Sequence, residues 1–282
     1  MAIESKREYQ WLFDLIKRQT TMLSGKDASL SELYHLCDDD SQRLLISDLL
    51  IRFDCIDDDL YNMALRSIAK KIAELKYDVS ELAVVAMSMD SAADSSQAML
   101  NDIKIYLTDA CGSNVQTINK FSRIQKAFKR EGKKHFVVID EFSGSGQTVL
   151  NRYTEFGRYN LEGATLDFFL IAALRKAYEN VKSQGIHVDV ELLSDAGISA
   201  YYTGDVLHKR KDEMKLLEGK LADQIGELKL KDYSFGYAQS EALYARKDHN
   251  VPNNVFPLFW WKQYKGKRNR LNVLFTRVQD GY

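Results

Sequence analysis

The stretch His135–Leu150, with the sequence HFVVIDEFSGSGQTVL, determines which fold the sequence predicts. Within it, Phe136–Ile139 is apolar, rich in β-branched residues and free of polar alternation. This pattern predicts a strand that is buried on both faces of a parallel sheet. Asp140 and Glu141 follow this strand, the loop Ser143–Thr148 comes next, and a predicted helix begins directly after the loop.

This order of features predicts a ligand site. In open α/β sheets, ligands bind at the carboxyl ends of the strands. The free N–H groups and the positive dipole end of a helix favour an anion such as phosphate. The carboxylates of Asp140 and Glu141 can accept hydrogen bonds from sugar hydroxyls or help to hold a divalent cation. From the residues alone, a strand followed by a tight turn with an N-capping serine stays the alternative.

Two common phosphate motifs do not fit the loop. Gln147 occupies the position of the lysine in a Walker loop, and Gly144-Ser145-Gly146 lacks the third glycine of a dinucleotide fingerprint. Instead, the strand, the acidic pair and the small-Gly-x-Thr loop resemble the ribose-phosphate loop of type I phosphoribosyltransferases. The resemblance implies that Asp140 and Glu141 are catalytic residues that hold ribose. It also implies a set of ribose- and phosphate-binding residues, namely Ser143, Gly144, Ser145, Gly146, Gln147 and Thr148.

Two later stretches, GYAQSEALY (Gly236–Tyr244) and NVPNNVFPLFWW (Asn250–Trp261), narrow the resemblance. Together with the acidic pair and the GSG loop, they look like the phosphoribosyltransferase-like effector domain of bacterial conflict systems, PRTase-CE, over roughly residues 78–261. This implies a ligand such as phosphoribosyl pyrophosphate or a nucleotide, with Mg²⁺ held through that ligand and with the acidic pair as the candidate metal ligands. It further implies an effector of antiphage defence, with a partner such as a retron reverse transcriptase and its RNA.

The loop departs from the family pattern in two places. Glu141 replaces the commoner aspartate, which lengthens the reach to ribose by one methylene. Gly144 stands where purine-salvage members often carry an aspartate that transfers a proton. Without that group, no general base is evident, and standard base salvage is not expected.

Composition excludes several classes. The chain has 282 residues and a net charge of −1, which gives no case for a strongly basic nucleic-acid binder. Cys37, Cys55 and Cys111 show no CxxC spacing, so neither a disulfide framework nor a zinc site is expected. No signal peptide is evident and no apolar run has membrane-spanning length, so a cytoplasmic protein without a membrane partner is expected.

Along the chain, the pattern predicts an α/β fold with a doubly wound, mostly parallel sheet. A helical N-terminal segment (residues 1–77) precedes a phosphoribosyltransferase-like domain (residues 78–282). Leu82–Met87 is the first predicted sheet strand. The small-residue loop after it, with Ser95 and Ser96 at a helix start, occupies the place of the family's pyrophosphate loop. A serine N-cap without a ligand is the alternative.

Two alternatives to an enzyme stay open. One is a non-catalytic member of the fold that senses a nucleotide or binds a partner. The other is a nucleic-acid adaptor that uses the N-terminal helices and the basic stretch Lys262–Arg270, for which a plain surface loop is the default. Trp260 and Trp261 are expected either to lie over the ligand site or to pack on the core.

Overall fold

The computed structural model describes residues 2–89 and 95–278. Its helices are α1 (Ala2–Arg18), α2 (Thr20–Leu23), α3 (Asp27–Leu36), α4 (Asp40–Ile51), α5 (Asp58–Glu74), α6 (Ser95–Asp102), α7 (Lys104–Cys111), α8 (Ile124–Glu131), α9 (Gln147–Arg158), α10 (Arg175–Ser183) and α11 (Gly204–Glu218). Its strands are β1 (Asp54–Ile56), β2 (Leu82–Ala86), β3 (Gln116–Ile118), β4 (His135–Ser143), β5 (Thr165–Leu174), β6 (Val188–Ser194), β7 (Gln224–Ile225), β8 (Leu228–Lys229) and β9 (Tyr244–Arg246). Among the described residues, no helix combines the length and apolar composition needed to cross a bilayer.

The chain forms two compact units. Unit 1 comprises Met1–Asp57 and Ser194–Tyr282, and unit 2 comprises Asp58–Leu193. The domain boundary between residues 77 and 78 stays a prediction. Helix α5 belongs to the same unit as the parallel sheet. The C-terminal segment belongs to the same unit as the first four helices, and the pairing of β1 with β9 joins these two parts.

Unit 2 is built on a five-stranded parallel sheet with the order β3-β2-β4-β5-β6. The central strands are apolar over most of their length, and residues 136–139 of β4 are fully buried. Burial of one such side chain contributes about 2 kcal/mol to folding. Because both faces of these strands are covered, the sequence reads as a continuous apolar run rather than as an alternating one.

Helices cover both faces of this sheet. On one face, α8, α9 and α10 pack with alternate strand residues in a single cluster that includes Val138, Phe168 and Val188. On the other face, Lys71 of α5 pairs with Asp189 of β6 at 2.6 Å. Val188 and Asp189 are consecutive in β6, so they point to opposite faces. The expected doubly wound α/β fold is therefore confirmed.

In unit 1, the two late sequence stretches pack against each other. The N–H of Tyr237 donates to the Asn253 carbonyl (2.8 Å), and the N–H of Ala242 donates to the Asn254 carbonyl (3.1 Å). Trp260 and Trp261 are 2% and 1% exposed. Of the two roles expected for these tryptophans, the structure shows core packing.

The Gly236–Tyr244 stretch is held in an unusual backbone conformation. Phe235, Gly236, Ala238, Gln239 and Glu241 all have φ between 51° and 80°, the left-handed region that disfavours side chains. Such strain persists only where the surroundings determine the conformation. Here the buried carboxylate of Glu241 fixes the stretch by accepting two backbone N–H bonds of 2.8 and 2.6 Å, from residues 198 and 199.

Replacement of Gly236 by alanine is expected to destabilise unit 1 by about 3 kcal/mol or more. Its Cβ would lie 1.8 Å from the Asn254 carbonyl oxygen, in a backbone with φ of +80°. Gly25→Ala is the matched control, because Gly25 has φ of +75° and no atom within 4 Å of its virtual Cβ. We expect Gly25→Ala to cost about 1 kcal/mol. Urea unfolding of both variants measures the difference, and equal costs would contradict the role of the close approach.

Candidate functional site

The site predicted from the sequence lies at the carboxyl edge of the unit 2 sheet. There, β2 and β4 are parallel neighbours, with Ala86 opposite Ile139. The strand order places β3 and β4 on opposite sides of β2. The sheet therefore grows from β2 toward one side with β3 and toward the other side with β4, which makes the boundary between β2 and β4 a topological switch point. Such a switch point opens a crevice, because the loops after the two strands leave toward different sides of the sheet.

The loop after β4 is a tight turn that leads into α9. Gly146 precedes the helix with φ of 76°. A Cβ on Gly146 would lie 3.1 Å from the Ala177 carbonyl oxygen of α10, so the turn also requires the absence of a side chain. The N–H of Gln147 donates to Ser145 Oγ at 3.3 Å. The other N–H groups of the first turn have no acceptor within the helix, as is general for helix N-termini. The anion site expected here stays a prediction.

The structure corrects the expected ends of both elements. β4 does not end at Ile139 but continues to Ser143, and Asp140 and Phe142 pair with Leu170 and Ala172 of β5. The acidic pair therefore belongs to the strand instead of following it. α9 begins at Gln147, which places the last two residues of the predicted phosphate loop in the first turn of the helix.

Because Asp140 and Glu141 are consecutive strand residues, their side chains point to opposite faces of the sheet. Asp140 shares a face with Val138, which packs with α9, and Glu141 lies on the face covered by α5. Asp140 is partly exposed, and its Oδ1 accepts the N–H of Glu141 at 2.8 Å. Glu141 is only 6% exposed. The two carboxylates are thus not equivalent, and Asp140 is the more accessible to a ligand.

The predicted pyrophosphate loop ends at α6, which begins at Ser95. Its middle, residues 90–94, lies outside the described residues. Ser96 is 1% exposed, and its Oγ accepts the N–H of Ser88 at 3.2 Å, which holds the two ends of the loop together. Ser95 is exposed at the helix start. Of the two predicted residues, Ser95 is therefore the accessible one, whereas Ser96 supports the loop.

Arg152 connects the two loops, which the sequence did not predict. This α9 residue donates from Nε to the Met87 carbonyl at 2.8 Å, at the end of β2. Its guanidinium lies 5.6 Å from the centroid of the Phe121 ring, and the N–H of Phe121 donates to the Ser88 carbonyl at 2.7 Å. The helix that follows the phosphate loop is thereby fixed to the start of the second loop. No local sequence signal marks this contact, because it joins segments 65 residues apart.

The side chains at the site suit Mg²⁺ only in part. Carboxylate and hydroxyl oxygens are the donors that Mg²⁺ prefers. However, the described part of the chain contains no cluster of three or more His, Cys, Asp or Glu residues that could hold a metal ion. Asp140 and Glu141 therefore fit Mg²⁺ only as partial ligands, beside oxygens that a bound phosphate or ribose supplies.

Comparisons with known proteins give one family match and several weakly similar structures. The model of the PRTase-CE family matches residues 37–277. A comparison with curated proteins gives no match. Among solved structures, orotate phosphoribosyltransferase from Aeropyrum pernix is similar at 16% identity and a TM-score of 0.31, over 47% of this chain and 70% of that chain. A hypothetical protein from Neisseria gonorrhoeae with bound ppGpp shows 10% identity and a TM-score of 0.35, over 51% and 85% of the two chains. The Mycobacterium tuberculosis orotate phosphoribosyltransferase in complex with phosphoribosyl diphosphate is similar at 12% identity and a TM-score of 0.29, over 54% of this chain and 78% of that chain. These partial superpositions carry no conclusion about ligand or reaction.

Substitution of Arg152 by methionine is expected to loosen the loop after β2, because it removes the hydrogen bond to Met87. The loss of a charged hydrogen bond of about 2 kcal/mol corresponds to roughly 30-fold faster amide exchange. Hydrogen exchange over residues 84–89 measures this effect. Arg158→Met, on an exposed part of the same helix, is the control and should leave the exchange unchanged. If both variants give the same exchange as the native protein, Arg152 does not hold the loop.

Proposed function

The chain belongs to the PRTase-CE family, and from this premise we propose that unit 2 binds a ribose-5-phosphate ligand at the carboxyl edge of its sheet. The ligand class includes phosphoribosyl pyrophosphate and nucleotides. The observation that carries the proposal is the turn between β4 and α9, where Gly146 takes a left-handed conformation directly before a twelve-residue helix. This turn presents backbone N–H groups to an anion and places Asp140 within the adjoining strand.

Each part of the ligand has a matching part of the site in this proposal. The 5′-phosphate binds Ser145, Gly146, Gln147 and Thr148 at the start of α9. A ribose hydroxyl donates to the carboxylate of Asp140. A pyrophosphate group extends across the switch point toward the exposed Ser95 at the start of α6. Mg²⁺, when bound, supplies charge neutralisation for the phosphates, and Asp140 would contribute oxygen ligands beside those phosphates.

The chemistry that these residues support is transfer at the anomeric carbon of ribose. The bond from C1′ to the pyrophosphate oxygen breaks, pyrophosphate leaves with the electron pair, and the acceptor forms the new bond to C1′. The turn fixes the phosphate, Asp140 orients the sugar, and Glu141 supports the strand from a buried position on the other face. At Gly144 the loop offers no side chain to accept a proton from an incoming base. We therefore propose an acceptor that reacts without a general base from this loop. The second candidate, a non-catalytic nucleotide sensor, is favoured by the same absence at Gly144.

We further propose that the binding site serves an effector in bacterial antiphage defence. The support is membership of the PRTase-CE family, because the resemblance identifies this family as the phosphoribosyltransferase-like effector domain of bacterial conflict systems. A partner such as a reverse transcriptase with its RNA, and Mg²⁺ as the cofactor, belong to the same proposal. Asp140 gives a way to separate a ligand-dependent effector from a scaffold, because both turnover and ligand sensing at this site need this carboxylate.

Calorimetric titration with phosphoribosyl pyrophosphate and Mg²⁺ tests the ligand. We expect the native protein to bind and Asp140→Asn to bind roughly 30-fold more weakly, since a hydrogen bond of about 2 kcal/mol to a charged group is lost. Chelation of Mg²⁺ should weaken binding by the native protein. The double variant Asp109→Asn/Glu179→Gln neutralises two exposed carboxylates of the same unit and should bind normally. Equal binding by native protein and Asp140→Asn would show that the ligand does not bind at Asp140. Absence of binding by native protein would refute the ligand assignment.

Expression in bacterial cells under defence-triggering conditions separates a ligand-dependent effector from a scaffold. An effector that binds or converts its ligand through Asp140 should lose growth inhibition in Asp140→Asn, even at protein levels matched to the native chain. The control variant Asp109→Asn/Glu179→Gln should keep it. Growth inhibition that persists in Asp140→Asn would contradict both catalysis and ligand sensing at this site and favour a scaffold.

A further inference from the structure

The basic stretch near the C-terminus of unit 1 is an ordered hairpin, which we call the basic hairpin (Lys262–Arg270). The N–H of Arg270 donates to the Lys262 carbonyl at 2.8 Å, and the N–H of Tyr264 donates to the Arg268 carbonyl at 2.8 Å. Gln263 and Asn269 form a bridge between the same two arms. Tyr264 and Arg268 therefore lie opposite each other, and cross-strand neighbours of this kind share a face.

A partly buried acid, Glu32, holds the tyrosine. The carboxylate of Glu32 accepts the Tyr264 hydroxyl (2.7 Å), Arg270 Nε (3.0 Å) and the N–H of Asn272 (2.9 Å). The Arg270 side chain is 0% exposed. Burial opposes ionisation of Glu32, but the hydrogen bonds from Tyr264 and Arg270 outweigh it and hold the pKa of this carboxyl below its ordinary value. The charge of Glu32 is therefore matched by Arg270, and it also anchors the Tyr264 ring.

The hairpin forms one wall of a cleft of about 640 Å³, within the range of ligand sites. Tyr264 and Arg268 line it together with Leu36, Lys220 and Leu271. The guanidinium of Arg268 lies over the Tyr264 ring, 4.9 Å from its centroid. Leu271 is 88% exposed at the rim. The cleft thus combines an immobilised aromatic ring, a cation stacked on it and apolar rim surface.

The charge of this surface is positive. Within residues 2–89 and 95–278, no carboxylate lies at salt-bridge distance from Lys262, Lys265 or Arg268, and all three are exposed. Lys220 is paired with Asp38 at 2.7 Å, so it contributes less. In a chain with a net charge of −1, the hairpin is a local concentration of unmatched cations beside a cleft that Tyr264 and Arg268 line.

We propose that this cleft binds single-stranded nucleic acid. One base stacks on Tyr264 in the place that the exposed Arg268 guanidinium occupies, and the neighbouring phosphates contact Lys262, Lys265 and the displaced Arg268. Base stacking on an aromatic ring beside a row of cations is the mode by which proteins bind unpaired strands. A duplex hides the faces of its bases and cannot use the ring. A free mononucleotide cannot reach all three cations, because they extend beyond the cleft along the hairpin.

Fluorescence anisotropy with a labelled single strand of about ten nucleotides tests the proposal. We expect Lys265→Glu/Arg268→Glu to weaken binding at least about 30-fold at about 50 mM salt, and to reduce the slope of log affinity against log salt by about 1.4. Lys129→Glu/Arg130→Glu makes the same charge change on the exposed face of α8 and should bind within about threefold of the native protein. Equal losses in both double variants would overturn the proposal in favour of non-specific attraction.

The ring and the ligand class have separate tests. Tyr264→Leu should weaken binding about tenfold because it removes stacking, whereas Tyr264→Phe keeps the ring and should bind like the native protein. Thermal unfolding of both variants shows whether the fold is kept, and only folded variants are compared. Competition by a duplex, by a mononucleotide or by polyglutamate as strong as that by the single strand would overturn the proposal. Binding of phosphoribosyl pyrophosphate by Lys265→Glu/Arg268→Glu should be unchanged, which separates this cleft from the site in unit 2.

Discussion

The parallel pairing of β2 with β4 is the constraint on which the candidate site depends. It places the ends of two non-consecutive strands side by side, so that the loop after each strand opens at the same edge of the sheet. The register matters as much as the pairing. A slip of one residue in β4 would exchange the faces of Asp140 and Glu141 and carry the accessible carboxylate away from α9. Arg152 also holds the two loops together, because its hydrogen bond to Met87 connects α9 to the end of β2.

Glycines in the left-handed conformation have different roles in the two units. In unit 2, the glycine turn at Gly146 leaves helix N–H groups open to an anion. In unit 1, Gly236 permits a close approach to Asn254, and the strained segment around it is fixed by the Glu241 carboxylate. The late family motifs therefore include residues that are required for folding of unit 1. A resemblance in such residues identifies the family, whereas the ligand has to be argued from the turn between β4 and α9.

The sequence predicted the elements whose signals are local. The buried runs in β2 and β4 lie where expected, and a glycine turn follows β4. It did not predict that β4 extends to Ser143, because that extension depends on pairing with Ala172 and Ala173 in another strand. The Arg152 contact and the pairing of β1 with β9 are non-local for the same reason. The basic stretch was expected to be a surface loop, and its order depends on Glu32, more than 200 residues away in the chain.

The unequal environments of Asp140 and Glu141 limit the chemistry of the site. Consecutive strand residues cannot present both carboxylates to one face, so the pair cannot enclose a metal ion by itself. A ligand that brings several phosphate oxygens completes such a coordination sphere, and a bare sugar or base does not. Recognition at this edge should therefore depend on the phosphates first and on the ribose second. Gly144 supplies no side chain that could take a proton from the acceptor substrate. In the proposed transfer, selectivity for that substrate therefore has to come from groups outside the glycine loop.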